Sequence, residues 1–224
     1  METREEVRMT RSVRGTKRGF VILSAVTAGL LGLAVPVAAQ TAGGEATAVQ
    51  ATLLGATTTL ADTGLLAAGT PYALQASSIA GSVPSLLTAD TLHATTIASA
   101  DQTESEASLG SLGVSLPGVT ITADFLMARA LAVVGAAGAA AGEVDGLVIN
   151  GVPIQVTGAP NQTVPIIGGM VVINEQQTGA GGAVVNALHV LVSGLADVVV
   201  ASATAGTAPS TGSTPLPLPL SGLL

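Results

Sequence analysis

The run from Gly182 to Ala203, GAVVNALHVLVSGLADVVVASA, is the stretch that most constrains the fold. In an extended chain Val185, Ala187, His189 and Leu191 share one face, and Val184, Asn186, Leu188, Val190 and Val192 share the other. Both sets are largely apolar, so the run predicts a strand central in its sheet and covered on both sides. Ser193 and Gly194 interrupt it, and Asp197 to Ala203 resumes as a second β-branched strand.

The rest of the chain reads as strands that pack against this pair. Asn150-Gly151, between Leu147-Val148-Ile149 and Val152-Pro153-Ile154, is the strongest hairpin signal, because both residues tolerate positive φ. Pro153 donates no ladder bond, which places it at an open edge. Val164–Ile167 and Met170–Ile173 predict a second hairpin across Gly168-Gly169, with a polar loop from Gln176 to Gly182. Gly43 to Leu60 reads as a strand region kinked at Gly55, and Leu74 to Ile79 as a further strand. Leu87-Thr-Ala-Asp90-Thr-Leu-His93-Ala is echoed 34 residues later by Ile121-Thr-Ala-Asp124-Phe-Leu-Met127-Ala. Ala-Asp pairs recur at Ala61-Asp62 and Ala196-Asp197, but the spacing is irregular, against the near-constant period of a solenoid. Asp124 to Ala141 is rich in helix formers, yet its alternation and its echo of the β-branched TTIA favour a strand, followed by a flexible Ala/Gly connection from Gly135 to Gly142.

Residues 1–39 read as a signal peptide: Arg4, Arg8, Arg11, Arg14, Lys17 and Arg18, then the apolar run Phe20–Val35, then Val37-Ala38-Ala39. Cleavage after Ala39 by the general secretory route is expected, with an uncleaved signal anchor as the alternative. Removing Glu2, Glu5 and Glu6 together with those six basic residues leaves eleven carboxylates and Arg129 alone, a net charge of −10. Such a chain is repelled by nucleic acid and anionic lipid, and no membrane span is expected after cleavage. With no cysteine, neither disulfides nor thiolate chemistry is available. Residues 40–206 are expected to form one all-β secreted domain, an antiparallel β-sandwich or flattened barrel with a β-solenoid as the alternative. Repeated Pro makes 207–224 a polyproline-type tail.

Few residues carry chemistry. Asp62-Thr63-Gly64 has the form of an aspartic-protease motif, but the chain holds no second copy to share the proton, so a homodimer would have to supply it, and the tripeptide is common in turns. His93 and His189 are the only imidazoles in the chain. Two histidines with a carboxylate suit zinc, while strand histidines with satisfied ring nitrogens are the simpler reading. Asn186 and Glu175 are expected near His189. The residues Asp101, Glu104 and Glu106 and the pair Glu143/Asp145 lack the alternating pattern of a dedicated calcium loop, leaving only calcium binding at a surface rim. No catalytic, cofactor-binding or metal residues are assigned; His189, His93 and Asp62 are the candidates to examine.

The segments VDGLVINGVPIQV, Pro160-Asn-Gln-Thr163, Asn174-Glu175-Gln176, Val185-Asn-Ala-Leu-His189-Val and Asp197-Val-Val-Val-Ala-Ser-Ala203 together resemble the choice-of-anchor P group of secreted bacterial proteins, common in actinobacteria. The resemblance spans roughly Glu45 to Ala205. It implies an exported surface domain with no assigned activity; the group's sorting signal is not recognisable here. The function expected is therefore a non-enzymatic secreted or cell-surface structural or interaction protein, capable of self-association and without a cofactor. A carbohydrate- or peptide-binding module and an extracellular hydrolase are the alternatives; the near-absence of aromatics, only Tyr72 and Phe125 in the predicted domain, counts against sugar stacking.

Overall fold

The structure, a computed structural model, describes residues 43–207. The expected signal peptide, its cleavage site and the tail beyond Thr207 lie outside the described residues. Within them the chain forms strands and no helix: β1 (Gly43–Leu53), β2 (Ala56–Asp62), β3 (Leu66–Ala67), β4 (Tyr72–Val83), β5 (Leu87–Ala98), β6 (Gln102–Leu116), β7 (Val119–Val133), β8 (Ala139–Asp145), β9 (Val148–Ile149), β10 (Val152–Pro153), β11 (Gln162–Ile166), β12 (Gly169–Gly179), β13 (Gly182–Val192) and β14 (Ala196–Gly206).

Two antiparallel sheets result. The first runs β11-β12-β13-β14-β1-β2, with β3 also on β1; the second runs β10-β9-β7-β6-β5-β4, with β8 also on β7. They pack face to face without closing into a barrel, so the fold is a β-sandwich. Hairpins dominate because most turns need only two or three residues, and this antiparallel meander excludes the solenoid. The first and last strands pair in the middle of the first sheet, Gly44 opposite Ala205, which ties the two ends of the domain together. Between the sheets lie Val49, Val171, Ile173, Val185, Leu188, Val190, Val198 and Val200 against Leu92, Leu109, Ile121 and Leu126, interleaved with fully buried alanines. Those small side chains bring the layers close at one end. There Gly138 N donates to Gly179 O at 2.8 Å and Ala137 bridges Ala180, a backbone seam joining the β7–β8 turn to the β12–β13 turn.

The alternation of faces slips once in most long strands. Asn174, Ala201 and Ala61 have φ near +50° (53°, 51° and 48°) and stand in one row across the first sheet, with Ala187 and Ala48 between them. At that row two successive residues point inward: Ala187 and Leu188 on β13, Val200 and Ala201 on β14, Ala48 and Val49 on β1. In the second sheet the slip runs the other way. Thr91 and Ser111 have φ of 54° and 49°, and Asp90-Thr91 and Asp124-Phe125 face outward as pairs. The sequence echo has its cause here: Leu87, Ala89, Leu92 and Ala94, like Ile121, Ala123, Leu126 and Ala128, point inward on either side of an outward pair.

The slip corrects the expectation of a strand covered on both sides. β13 is central in its sheet, but only Ala183, Val185, Ala187, Leu188 and Val190 face the second sheet, while Val184, Asn186, His189 and Leu191 are half-exposed on the outer face. Both parities look apolar because the inward set changes parity halfway along. Several boundaries also differ. Leu54-Gly55 is a hairpin turn with both φ positive (50° and 85°) rather than a kink. The tight turn of the second hairpin is Ile167-Gly168, since Ile166 pairs with Gly169 and Gly168 takes a φ of 73°. The expected loop at Gln176 is the end of β12, and part of the Ala/Gly connection, Ala139–Gly142, is strand. The expected strand Leu74–Ile79 extends to the whole of β4, Tyr72–Val83. Asn150-Gly151 is the expected turn, with φ of 50° and 77°, but β9 and β10 are only two residues each.

Candidate functional site

On the outer face of the first sheet four polar side chains from three strands meet. Plain alternation puts Asn186 and His189 on opposite faces, and the slip at Ala187/Leu188 brings them to the same one. Glu175 lies opposite Asn186 on β12, and Asp197 lies opposite Leu191 on β14, so the two carboxylates reach His189 from opposite diagonals. His189 Nδ1 is 2.8 Å from Glu175 Oε2, and His189 Nε2 is 2.9 Å from Asp197 Oδ1. Asn186 Nδ2 donates to the same Glu175 Oε2 at 2.7 Å. The ring is largely covered, at 15% exposure, while Asp197 at 55% stays wet.

Burial by itself pushes the His189 imidazole down, but the hydrogen bonds and charges of Glu175 and then Asp197 outweigh it and hold the group above its ordinary value. Glu175 is held below the usual carboxylate range, chiefly by the hydrogen bond from His189 and helped by Asn186, against the opposing effect of burial. Once protonated, the ring donates from both nitrogens and keeps no lone pair for a metal or for accepting a proton. The arrangement links β12, β13 and β14 as a cross-strand tie. Beside Asp197 opens a shallow depression of about 500 Å³, lined mainly by Leu54, Met170, Leu191 and Leu195.

The other candidates stand apart. His93 is half-buried on the outer face of the second sheet, between Ser77 and Ser108 on the neighbouring strands, so the two histidines do not converge. Asp62 closes a turn: its Oδ1 accepts from Gly64 N at 2.9 Å and from Thr47 Oγ1 at 3.1 Å. Glu45, next to it, is pushed up by burial and then by the Asp62 charge. Of the acidic residues considered for calcium, Glu104 and Glu106 flank Arg129, which ion-pairs with both, and Glu143 and Asp145 lie beside Met127 and Phe125. Among the described residues no group of three His, Asp or Glu is placed to hold a metal ion.

A second polar cluster lies between the sheets. Thr63 Oγ1 is 3.2 Å from Thr96 Oγ1, which is 3.2 Å from Ser105 Oγ, and Thr63 Oγ1 also accepts from Ala46 N at 3.0 Å. Thr103 Oγ1 is buried there without a partner. Gly44 allows the close approach: a Cβ on it would sit 2.6 Å from the Thr103 methyl.

Sequence reasoning placed Glu175 and Asn186 beside His189 but did not include Asp197, whose one visible signal was its Ala-Asp pair. The chain gives no match to family models, to curated proteins or to solved structures.

Proposed function

We propose that this protein is a non-enzymatic structural or interaction module of the cell exterior, as its resemblance to the choice-of-anchor P group implies. The observation that carries the non-enzymatic reading is the engagement of both His189 ring nitrogens by carboxylates. The most reactive side chain of the outer face is thus spent on cross-strand cohesion. A role in contact is supported by exposed apolar side chains: Leu54 and Ile167 on hairpin turns, Val152 on β10 and Met170 on β12. The Thr-rich outer face fits a wet, low-charge surface: Thr47 and Thr52 on β1 stand opposite Asp62 and Thr57, and Gln50 opposite Thr59.

The test is fractionation of an actinobacterial host expressing the full chain. The protein is expected in the medium or on the surface, beginning at Gln40. Retention in the cytoplasm with residues 1–39 intact overturns the reading.

A further inference from the structure

Most sheet edges in this molecule carry a feature that discourages strand addition. β11 contains Pro165 and β10 contains Pro153, neither of which donates a ladder bond. β8 carries Glu143 and Asp145, and β2 is seven residues long and ends in Asp62. β4 has none of these. It is twelve residues, YALQASSIAGSV, without charge or proline, and Pro71 and Pro84 stand just outside it. It ends its sheet, and among the described residues no strand pairs with it opposite β5. Most of its side chains are open to solvent, Ile79 at 90% and Tyr72 at 62% exposure, while Val83 at its end is buried.

We infer that the β4 edge is an interface that pairs antiparallel with β4 of a second copy of this chain. The choice of occupant follows from charge and symmetry. The described residues carry eleven carboxylates against Arg129, and none of the eleven is on β4. A cationic partner is drawn elsewhere, whereas two copies of an acidic protein meet here without charges facing across the new ladder. An isologous contact needs one self-complementary patch, and an uncharged strand of uniform register supplies it. A two-fold axis near Ser78-Ile79 lays each exposed Ile79 over the junction and extends the second sheet across both molecules. One strand pair buries an area at the low end of specific interfaces, so the dimer is transient, with a dissociation constant on the order of micromolar or weaker.

This inference rests on the interaction reading proposed above but is tested apart from it, on purified protein with no cell. Sedimentation velocity of the protein from about 1 µM to about 1 mM is expected to show conversion of monomer to dimer. Ile79→Lys is expected to weaken dimerisation at least about tenfold, while Thr57→Lys on the β2 edge leaves it unchanged. Because Ile79 is almost wholly exposed, the fold should survive, and circular dichroism checks that. Amide exchange gives the second readout: protection of residues 72–83 should rise with concentration, and protection at the other edges should not. A protein monomeric throughout, a dimer indifferent to Ile79→Lys, or concentration-dependent protection confined to another edge each overturns the inference. A negative result with the protein still exported leaves the function reading standing.

Discussion

At the scale of single residues, His189 and Glu175 make the stability of the tie respond to pH. Its folded value lies above the ordinary 6.5, so its contribution is complete below about 6.5 and is lost as pH rises through the raised value. Glu175 is shifted the opposite way, below 4.5; its contribution is complete above about 4.5 and is lost as pH falls through the lowered value. The tie is therefore strongest in the mildly acid window between those two values. Thermal melts against pH should peak there, and His189→Gln should flatten the alkaline limb while costing about 1 kcal/mol at the peak. If the variant keeps the parent's slope above pH 6.5, the tie is not what titrates. A second residue makes the reverse case. Thr103 Oγ1 is buried with no partner, so Thr103→Val removes a desolvated hydroxyl at constant shape and should be neutral or stabilising by up to about 1 kcal/mol. Loss of stability in denaturant titration would mean that the hydroxyl is satisfied. His189 stood out in the sequence because it is one of only two imidazoles in the chain. Asp197 did not, because its reach to His189 is set by pairing across β13 and β14, and no local spacing encodes that.

At the scale of elements, the parity slip explains why both faces of β13 look apolar in the sequence. The hairpin at Asn150-Gly151 was legible because Asn and Gly declare their positive φ in their chemistry. The slip at Ala201 was not: alanine has no side chain that favours the left-handed region, and nothing nearby in sequence marks it. The row can be tested by comparing two buried alanines that are neighbours in it. Ala187→Gly loses a packed methyl and gains unfolded-state entropy, with a cost of about 1.5 kcal/mol. Ala201→Gly suffers the same losses but also relieves a φ of 51°, worth about 1–2 kcal/mol, so it should melt close to the parent. Equal destabilisation of the two in urea titration would place Ala201 in ordinary strand conformation and remove the slip. Without the slip, Asn186 and His189 return to opposite faces and the site dissolves with it.

At the scale of the whole molecule, a core of Val, Leu, Ile and Ala has few bulky side chains to set the distance between its sheets, and the backbone seam at Gly138 helps fix it. All-β character was readable from β-branched runs and turn dipeptides, and the sandwich follows once the hairpins close on each other. The seam was hidden, because GAAGAAAG reads as a flexible linker until the opposite turn is known. Gly138 N donates to Gly179 O at 2.8 Å, and Gly181 N donates back to Ala136 O at 3.2 Å. A Cβ on Gly138 would sit 2.0 Å from Gly182 O and 2.2 Å from its carbonyl carbon, both backbone atoms that move only if the turn moves. Gly138→Ala should therefore cost about 2 kcal/mol by overpacking, a fall in Tm of about 4–8 °C for a domain of this size. Gly135→Ala, three residues earlier, separates strain from clash: its φ is 81° but its Cβ meets nothing within 4 Å. That variant should lose about 1 kcal/mol. Both should still melt in one transition, since the sheets share a single core. If Gly138→Ala melts no lower than Gly135→Ala, the seam does not hold the layers together and their spacing is set by the aliphatic core alone.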